Sequence, residues 1–194
     1  MARPLTIGLT GGIAAGKSEA LAAFRRLGAA TISSDAVVHE LLEGEPLISL
    51  LRERWGEEVA PGGAVDRNRV GEIVFADRDE LTWLERQIHP LVGERLAAWM
   101  AALSEDGGLA VVEVPLLFEG EMAGAFDTTV AVVASEDVRR ARAEARGHAL
   151  VGEREARQLD QAEKAARAEH VIENDGSVEE LERKLSALVE KLTG

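Results

Sequence analysis

The chain has 194 residues, 46% hydrophobic and 29% charged, with no cysteine and a net charge of −13. These numbers support one soluble folded domain with room for an inserted subdomain, and they exclude disulfides and thiolate metal sites. So acidic a surface repels duplex nucleic acid, which proteins hold through Lys and Arg, and no apolar run approaches the ~18 residues of a membrane span, so neither is an expected partner.

The first predicted element is a strand over 5–10 (LTIGLT). No long apolar stretch precedes it, so no signal peptide is read and a cytoplasmic location is expected. A second strand is predicted at 29–33 (AATIS). A long, mainly helical stretch follows, too long for one crossover helix, and reads as a helical insertion over about 36–106. Pro61, Gly62 and Gly63 mark a loop inside it. Leu81, Leu84, Ile88, Leu91, Leu96, Trp99 and Leu103 recur near helical spacing. Pro90 is expected to start or kink that helix, because it lacks a backbone N–H. Trp83 and Trp99 read as core. Gly107 and Gly108 return the chain to strands at 109–114 (LAVVEV), 128–134 (TTVAVVA) and 170–173 (HVIE). Apolar runs alternating with helical patterns argue for an α/β fold, a parallel sheet covered by helices. The last helix opens with a capping box, Ser177 with Glu180, and carries a stripe of Leu181, Leu185, Leu188 and Leu192.

Residues 11–18 read GGIAAGKS, a match to G-x-x-x-x-G-K-[ST] between a predicted strand and a predicted helix. Glycines allow the backbone to turn tightly and aim successive N–H groups at phosphate oxygens. The helix N-terminus adds orphan donors and partial positive charge. Gly11, Gly12, Ile13, Ala14, Ala15, Gly16, Lys17, Ser18 and Glu19 are thus the expected nucleotide-binding residues. Lys17 serves the β- and γ-phosphates and Ser18 a Mg²⁺ ion. Glu19 is expected to offer its N–H and point its side chain away. A GTPase is not expected, since neither an N/T-K-x-D guanine reader nor a D-x-x-G switch follows.

The densest positive charge lies at 139–167, with Arg139, Arg140, Arg142, Arg146, Arg154, Arg157, Lys164 and Arg167. Glu144, Glu153, Glu155 and Glu163 interleave it, so by composition alone a solvated salt-bridge face is an open reading.

GLTGGIAAGKS at 8–18, SSDAVVHELL at 33–42, IHPLV at 88–92, VVEVPLLFE at 111–119 and the tail from Arg142 to Asn174 together resemble the ordered motifs of the dephospho-CoA kinase family. The resemblance covers nearly the whole chain. It implies a P-loop nucleotide-kinase core (1–35, 107–138 and 168–194), a helical insertion at 36–106 that binds dephospho-CoA, and a small helical lid at 139–167. It also implies transfer of the ATP γ-phosphate to the ribose 3′-hydroxyl. Asp35 matches the family's aspartate after the second strand and becomes the candidate base, with an N-cap as the alternative. An earlier aspartate common in the family is Ser33 here, and His39 stands where Arg is common. Glu113 takes the place of a strand-end acid that can hold Mg²⁺ through water, or it is a satisfied strand-end carboxylate. His89 and Glu119 are candidate substrate contacts, His89 equally a packed helix-end imidazole. Arg142 and Arg146 match the lid arginines that clamp triphosphate, and Asn174 the asparagine beside the adenine, although N-D-G is also a turn sequence. Either Arg154 with Gln158 or Arg157 with Gln161 supplies the lid's R-x-x-x-Q.

Overall fold

The computed structural model describes residues 3–103, 108–120, 122–145 and 158–194. These fall into two compact units, Met1–Ser33 with Leu103–Gly194, and Ser34–Ala102.

The first unit is built on a parallel sheet of β1 (Leu5–Gly11), β2 (Ala30–Ser33), β3 (Leu109–Glu113), β4 (Thr128–Val133) and β5 (His170–Glu173). The strand order is β2-β3-β1-β4-β5. From β1 the chain goes to the edge at β2, returns inward to β3 beside β1, and then crosses to β4 and β5 on the other side. A doubly wound sheet binds ligands where the direction reverses, outside the strands' carboxyl ends. Here that place is the C-terminal end of β1.

β3 and β4 are nearly continuous buried runs, as a covered parallel strand should be. β1 is buried too, but its two faces differ. Ile7 and Leu9 pack against Ala20, Ala23 and Phe24 of α1 (Lys17–Arg26). Thr6, Gly8 and Thr10 face the other way, and a Cβ on Gly8 would meet Phe126 at 2.7 Å. The edge strands depart from the expectation of full burial. β2 is only half-buried, and Val171 and Glu173 of β5 are exposed.

α6 (Glu136–Ala145) follows β4, α7 (Gln161–Arg167) precedes β5, and α8 (Val178–Thr193) ends the chain. Both capping-box bonds of Ser177 and Glu180 are formed. Leu181, Leu185 and Leu188 of α8 are buried in the same core as Phe24, and Leu192 packs at its edge.

The second unit holds α2 (Ser34–Leu42), α3 (Glu45–Trp55), α4 (Arg67–Ala76) and α5 (Arg78–Ala101). Pro90 neither starts nor ends α5. The helix buries Leu84, Ile88, Val92 and Leu96, a four-residue repeat on one face, while Pro90 and Arg86 lie on the exposed side. The carbonyl that Pro90 leaves without a helical donor therefore belongs to a solvent-facing residue, where the loss costs least. Trp83 is half-buried rather than core, edge-on to Trp55 at 5.2 Å with Arg54 over its ring.

Asp127, just before β4, ties the start of β1 in place. It accepts from both Nη atoms of Arg3 (2.7 and 2.5 Å), from Thr6 N (2.9 Å) and from Thr6 Oγ1 (2.8 Å). The Arg3 guanidinium, helped by the Thr6 donors, holds the Asp127 carboxyl well below the usual carboxylate range. A depressed carboxylate contributes stability above its unfolded pKa and loses it as pH falls toward the folded value. Asp127→Asn should therefore cost about 1.5–3 kcal/mol at pH 7, the range for a hydrogen bond to a charged group. In urea unfolding, its deficit against wild type should shrink as pH drops below about 4. A deficit constant down to pH 2 would contradict this account.

Candidate active site

β1 delivers residues 11–18 to the reversal point, and α1 starts at Lys17 directly behind them. Glycine is obligatory at both ends of the loop. Gly11 has φ +151° and a Cβ there would stand 2.1 Å from the Val132 carbonyl oxygen. Gly16 has φ +100° and a Cβ would stand 2.2 Å from Asn174 Nδ2. Ala14 takes φ 59°, the left-handed region, without being glycine. Such a residue carries roughly 1–3 kcal/mol of strain, of the kind concentrated at functional loops.

The carbonyls of the loop are taken by donors. Lys17 Nζ donates to Gly11 O (3.2 Å) and Gly12 O (2.9 Å). Arg139 Nη1 donates to Ile13 O (3.5 Å) and Arg142 Nη1 to Ala15 O (3.3 Å). Asn174 Nδ2 also donates to Ala15 O, at 2.8 Å, from a buried position at the end of β5. The Asn174 N–H in turn donates to Val133 O at 2.8 Å. Its side chain thus braces the loop, a role distinct from the adenine contact the resemblance implies. The turn reading of N-D-G also has substance, because Asp175 accepts from Ser135 N (2.6 Å). That backbone donor, with Arg142 adding to it, holds the Asp175 carboxyl below its ordinary range.

Glu19 points down α1, where its carboxylate accepts from Arg26 Nη2 at 3.0 Å, two turns from the loop. Ser18 is exposed at the start of α1. Glu113 is buried at the end of β3, in register with Leu9 and Ser33. Among the described residues no group of three or more His, Cys, Asp or Glu could hold a metal. One hydroxyl and one carboxylate suit an ion such as Mg²⁺, which keeps several waters and takes its other oxygens from phosphate.

Glu119, a candidate substrate contact, is engaged within the chain. Its Oε1 accepts from Leu159 N (2.8 Å) and pairs with Lys164 Nζ (3.2 Å). Lys164 is fully buried and also donates to Pro115 O (2.6 Å) and Gln158 Oε1 (3.4 Å). Gln161 clasps the end of β4 with both ends of its amide, accepting from Ala134 N and donating to Ala134 O. The two glutamines of the alternative lid pairings thus have separate tasks. Their arginine partners, Arg154 and Arg157, and the clamp candidate Arg146 lie outside the described residues.

Asp35 and His89 belong to the second unit. Asp35 lies within the first turn of α2, exposed, and among the described residues its carboxylate accepts no hydrogen bond. It is not the N-cap of that helix. His89 is exposed in the middle of α5, which removes the packed helix-end reading.

A five-stranded parallel sheet with a phosphate loop at its reversal point, followed by a Lys and a Ser at the start of a helix, defines a P-loop nucleotide-binding protein. The chain belongs to the dephospho-CoA kinase family, whose model matches residues 5–180. A dephospho-CoA kinase of Thermobifida fusca is 37% identical over 193 residues, covering 97% of this chain and 96% of that protein. Another, of Anaeromyxobacter dehalogenans, is 40% identical, with 97% and 92% covered. A Thermus thermophilus protein of solved structure superposes with TM-score 0.84 at 36% identity over 99% of this chain and 100% of that one. Shikimate kinase from Acinetobacter baumannii, at 17% identity and TM-score 0.54 with 98% and 95% covered, shares the fold.

Breaking a buried pair strands its partner, at a cost of about 3–5 kcal/mol. Lys164→Met should lose stability on that scale in urea unfolding, and adding Glu119→Gln should recover part of it. Equal losses in the single and double variants would show that the pair carries no such energy.

Proposed function

We propose that this chain transfers the γ-phosphate of ATP to the ribose 3′-hydroxyl of dephospho-CoA, the last step of coenzyme A synthesis. The carrying observation is the phosphate loop with its Gly12 and Ala15 carbonyls bonded by Lys17 and Asn174, in a chain that matches the dephospho-CoA kinase family over residues 5–180. Backbone N–H groups and Lys17 hold the triphosphate. Arg142, and Arg146 beyond it in the chain, clamp the triphosphate and offset its negative charge. The 3′-oxygen attacks the γ-phosphorus, the bond to the β–γ bridging oxygen breaks, and ADP leaves. Asp35 accepts the hydroxyl proton. Its carboxylate is exposed and unengaged among the described residues, which supports that role, because a base must be free to take a proton. Ser18, and Glu113 through water, would hold Mg²⁺, which supplies charge neutralisation on the β- and γ-oxygens. Residues 36–106, with His89, bind dephospho-CoA, and 139–167 close over ATP. No helix among the described residues is long and apolar enough to cross a membrane, and we place the reaction in the cytoplasm, with no nucleic-acid partner.

The test is ADP release with dephospho-CoA against a panel of nucleosides and shikimate, with the new phosphate located by NMR. Asp35→Asn should lower kcat by about 10²–10⁴ while the ATP affinity stays within a few-fold, because a base acts in the transition state. Near-wild-type turnover of that variant would remove Asp35 as the base. Preference for another acceptor would overturn the substrate assignment.

A further inference from the structure

The geometry points to Arg139 as a nucleotide-contacting residue that reads the terminal phosphate, making the site selective for ATP over ADP. This inference rests on the kinase reading above but concerns a residue outside the phosphate-loop motif and outside the lid arginines that the family resemblance implies.

A cleft of about 420 Å³ opens beside the loop, walled by Gly12 and Ile13, by Arg139 of α6, and by residues 158–162 at the start of α7. Most polar groups on this wall are already engaged. Gln161 spends both ends of its amide on Ala134. Asp160 caps α7 by accepting from Glu163 N at 2.7 Å. Gln158 Oε1 accepts from Lys164. Arg139 differs. Among the described residues its side chain makes one hydrogen bond, the long 3.5 Å one to Ile13 O, and its Nε is buried with no partner. A guanidinium has five N–H donors in a rigid fork. One so placed has donors left for an oxyanion.

The end of the loop it faces decides which oxyanion. Lys17 Nζ sits on the Gly11 and Gly12 carbonyls. The lysine of a phosphate loop serves the β- and γ-phosphates, so the terminal end of the triphosphate lies at Gly12. A Cβ on Gly12 would stand 3.3 Å from Arg139 Nη1. Arg142, three residues along the same helix face, bonds Ala15 O at the other end of the loop. The two arginines therefore divide the chain of phosphates, Arg139 at the γ end and Arg142 nearer the α and β.

The experiment is calorimetric binding of the imido analogue of ATP and of ADP, each with Mg²⁺, to full-length wild type, Arg139→Gln, Arg139→Lys and Arg142→Ala. Loss of a charge-assisted contact should weaken the ATP analogue about tenfold or more in Arg139→Gln, and ADP by less than about threefold. Arg142→Ala should weaken both, and Arg139→Lys should keep a preference for the triphosphate. If Arg139→Gln lowers the ligand-free unfolding midpoint, Arg139→Lys carries the test, and a lost preference there overturns the proposal. Equal losses for both nucleotides in Arg139→Gln would make Arg139 a brace of the loop, and no loss would make it a surface cation. Wild type that binds neither nucleotide would instead refute the kinase reading itself.

Discussion

A loop that turns its N–H groups inward to hold phosphate must turn its carbonyls outward, and a carbonyl shielded from water needs a donor. This constraint organises the first unit. Lys17 covers Gly11 and Gly12, Arg139 covers Ile13, and Arg142 and Asn174 share Ala15. The donors come from the loop's own helix, from α6 and from the end of β5. Residues far apart in sequence must converge at one end of the sheet before the loop can hold its shape.

The strand order makes that convergence possible. β1 lies at the centre, so β4 and β5 follow on one side and deliver α6 and Asn174 at their carboxyl ends. Val133 O and Ser135 N fasten the end of β5 to the end of β4 through Asn174 N and Asp175. Gln161 fastens the start of α7 to Ala134. Lys164 and Glu119 then anchor the chain leaving 158 to the turn after β3. The strained Ala14 is tolerable in such a frame, because the bonds on either side over-determine the backbone. The same frame gives the loop electrostatic preorganisation, since dipoles already in position need not reorganise as charge develops on the transferring group.

Much of this was legible in the residues. The five strands announce themselves as apolar runs, and their bounds in the structure differ from the reading by about one residue. The loop motif predicts its own context of strand and helix. The stripe of α8 is readable because leucines at that spacing share one face. Pro90 misleads, because the cost of proline depends on which side of a helix it occupies, and burial is decided by partners. The bracing role of Asn174 is hidden in a different way. Its side-chain bond spans 159 positions, and no local pattern encodes it. Lys164 could not be read as buried, since lysine is rarely so unless paired, and its partners lie in a distant turn. Arg139 was visible only as one charge among many. The i, i+4 spacing of Arg142 and Arg146 is plain in the sequence, whereas the i, i+3 link of Arg139 and Arg142 emerges only from their shared hold on the loop.

The central claim is that the phosphate loop is formed and rigid before nucleotide arrives. Backbone ¹⁵N relaxation of the nucleotide-free protein measures this directly at Gly12–Lys17. The account predicts order parameters near those of β1, about 0.85, with little change when the imido analogue of ATP is added. Values below about 0.6 in the free protein, rising on binding, would contradict it. The outward bonds of Lys17, Arg139, Arg142 and Asn174 would then be consequences of nucleotide binding rather than its preparation.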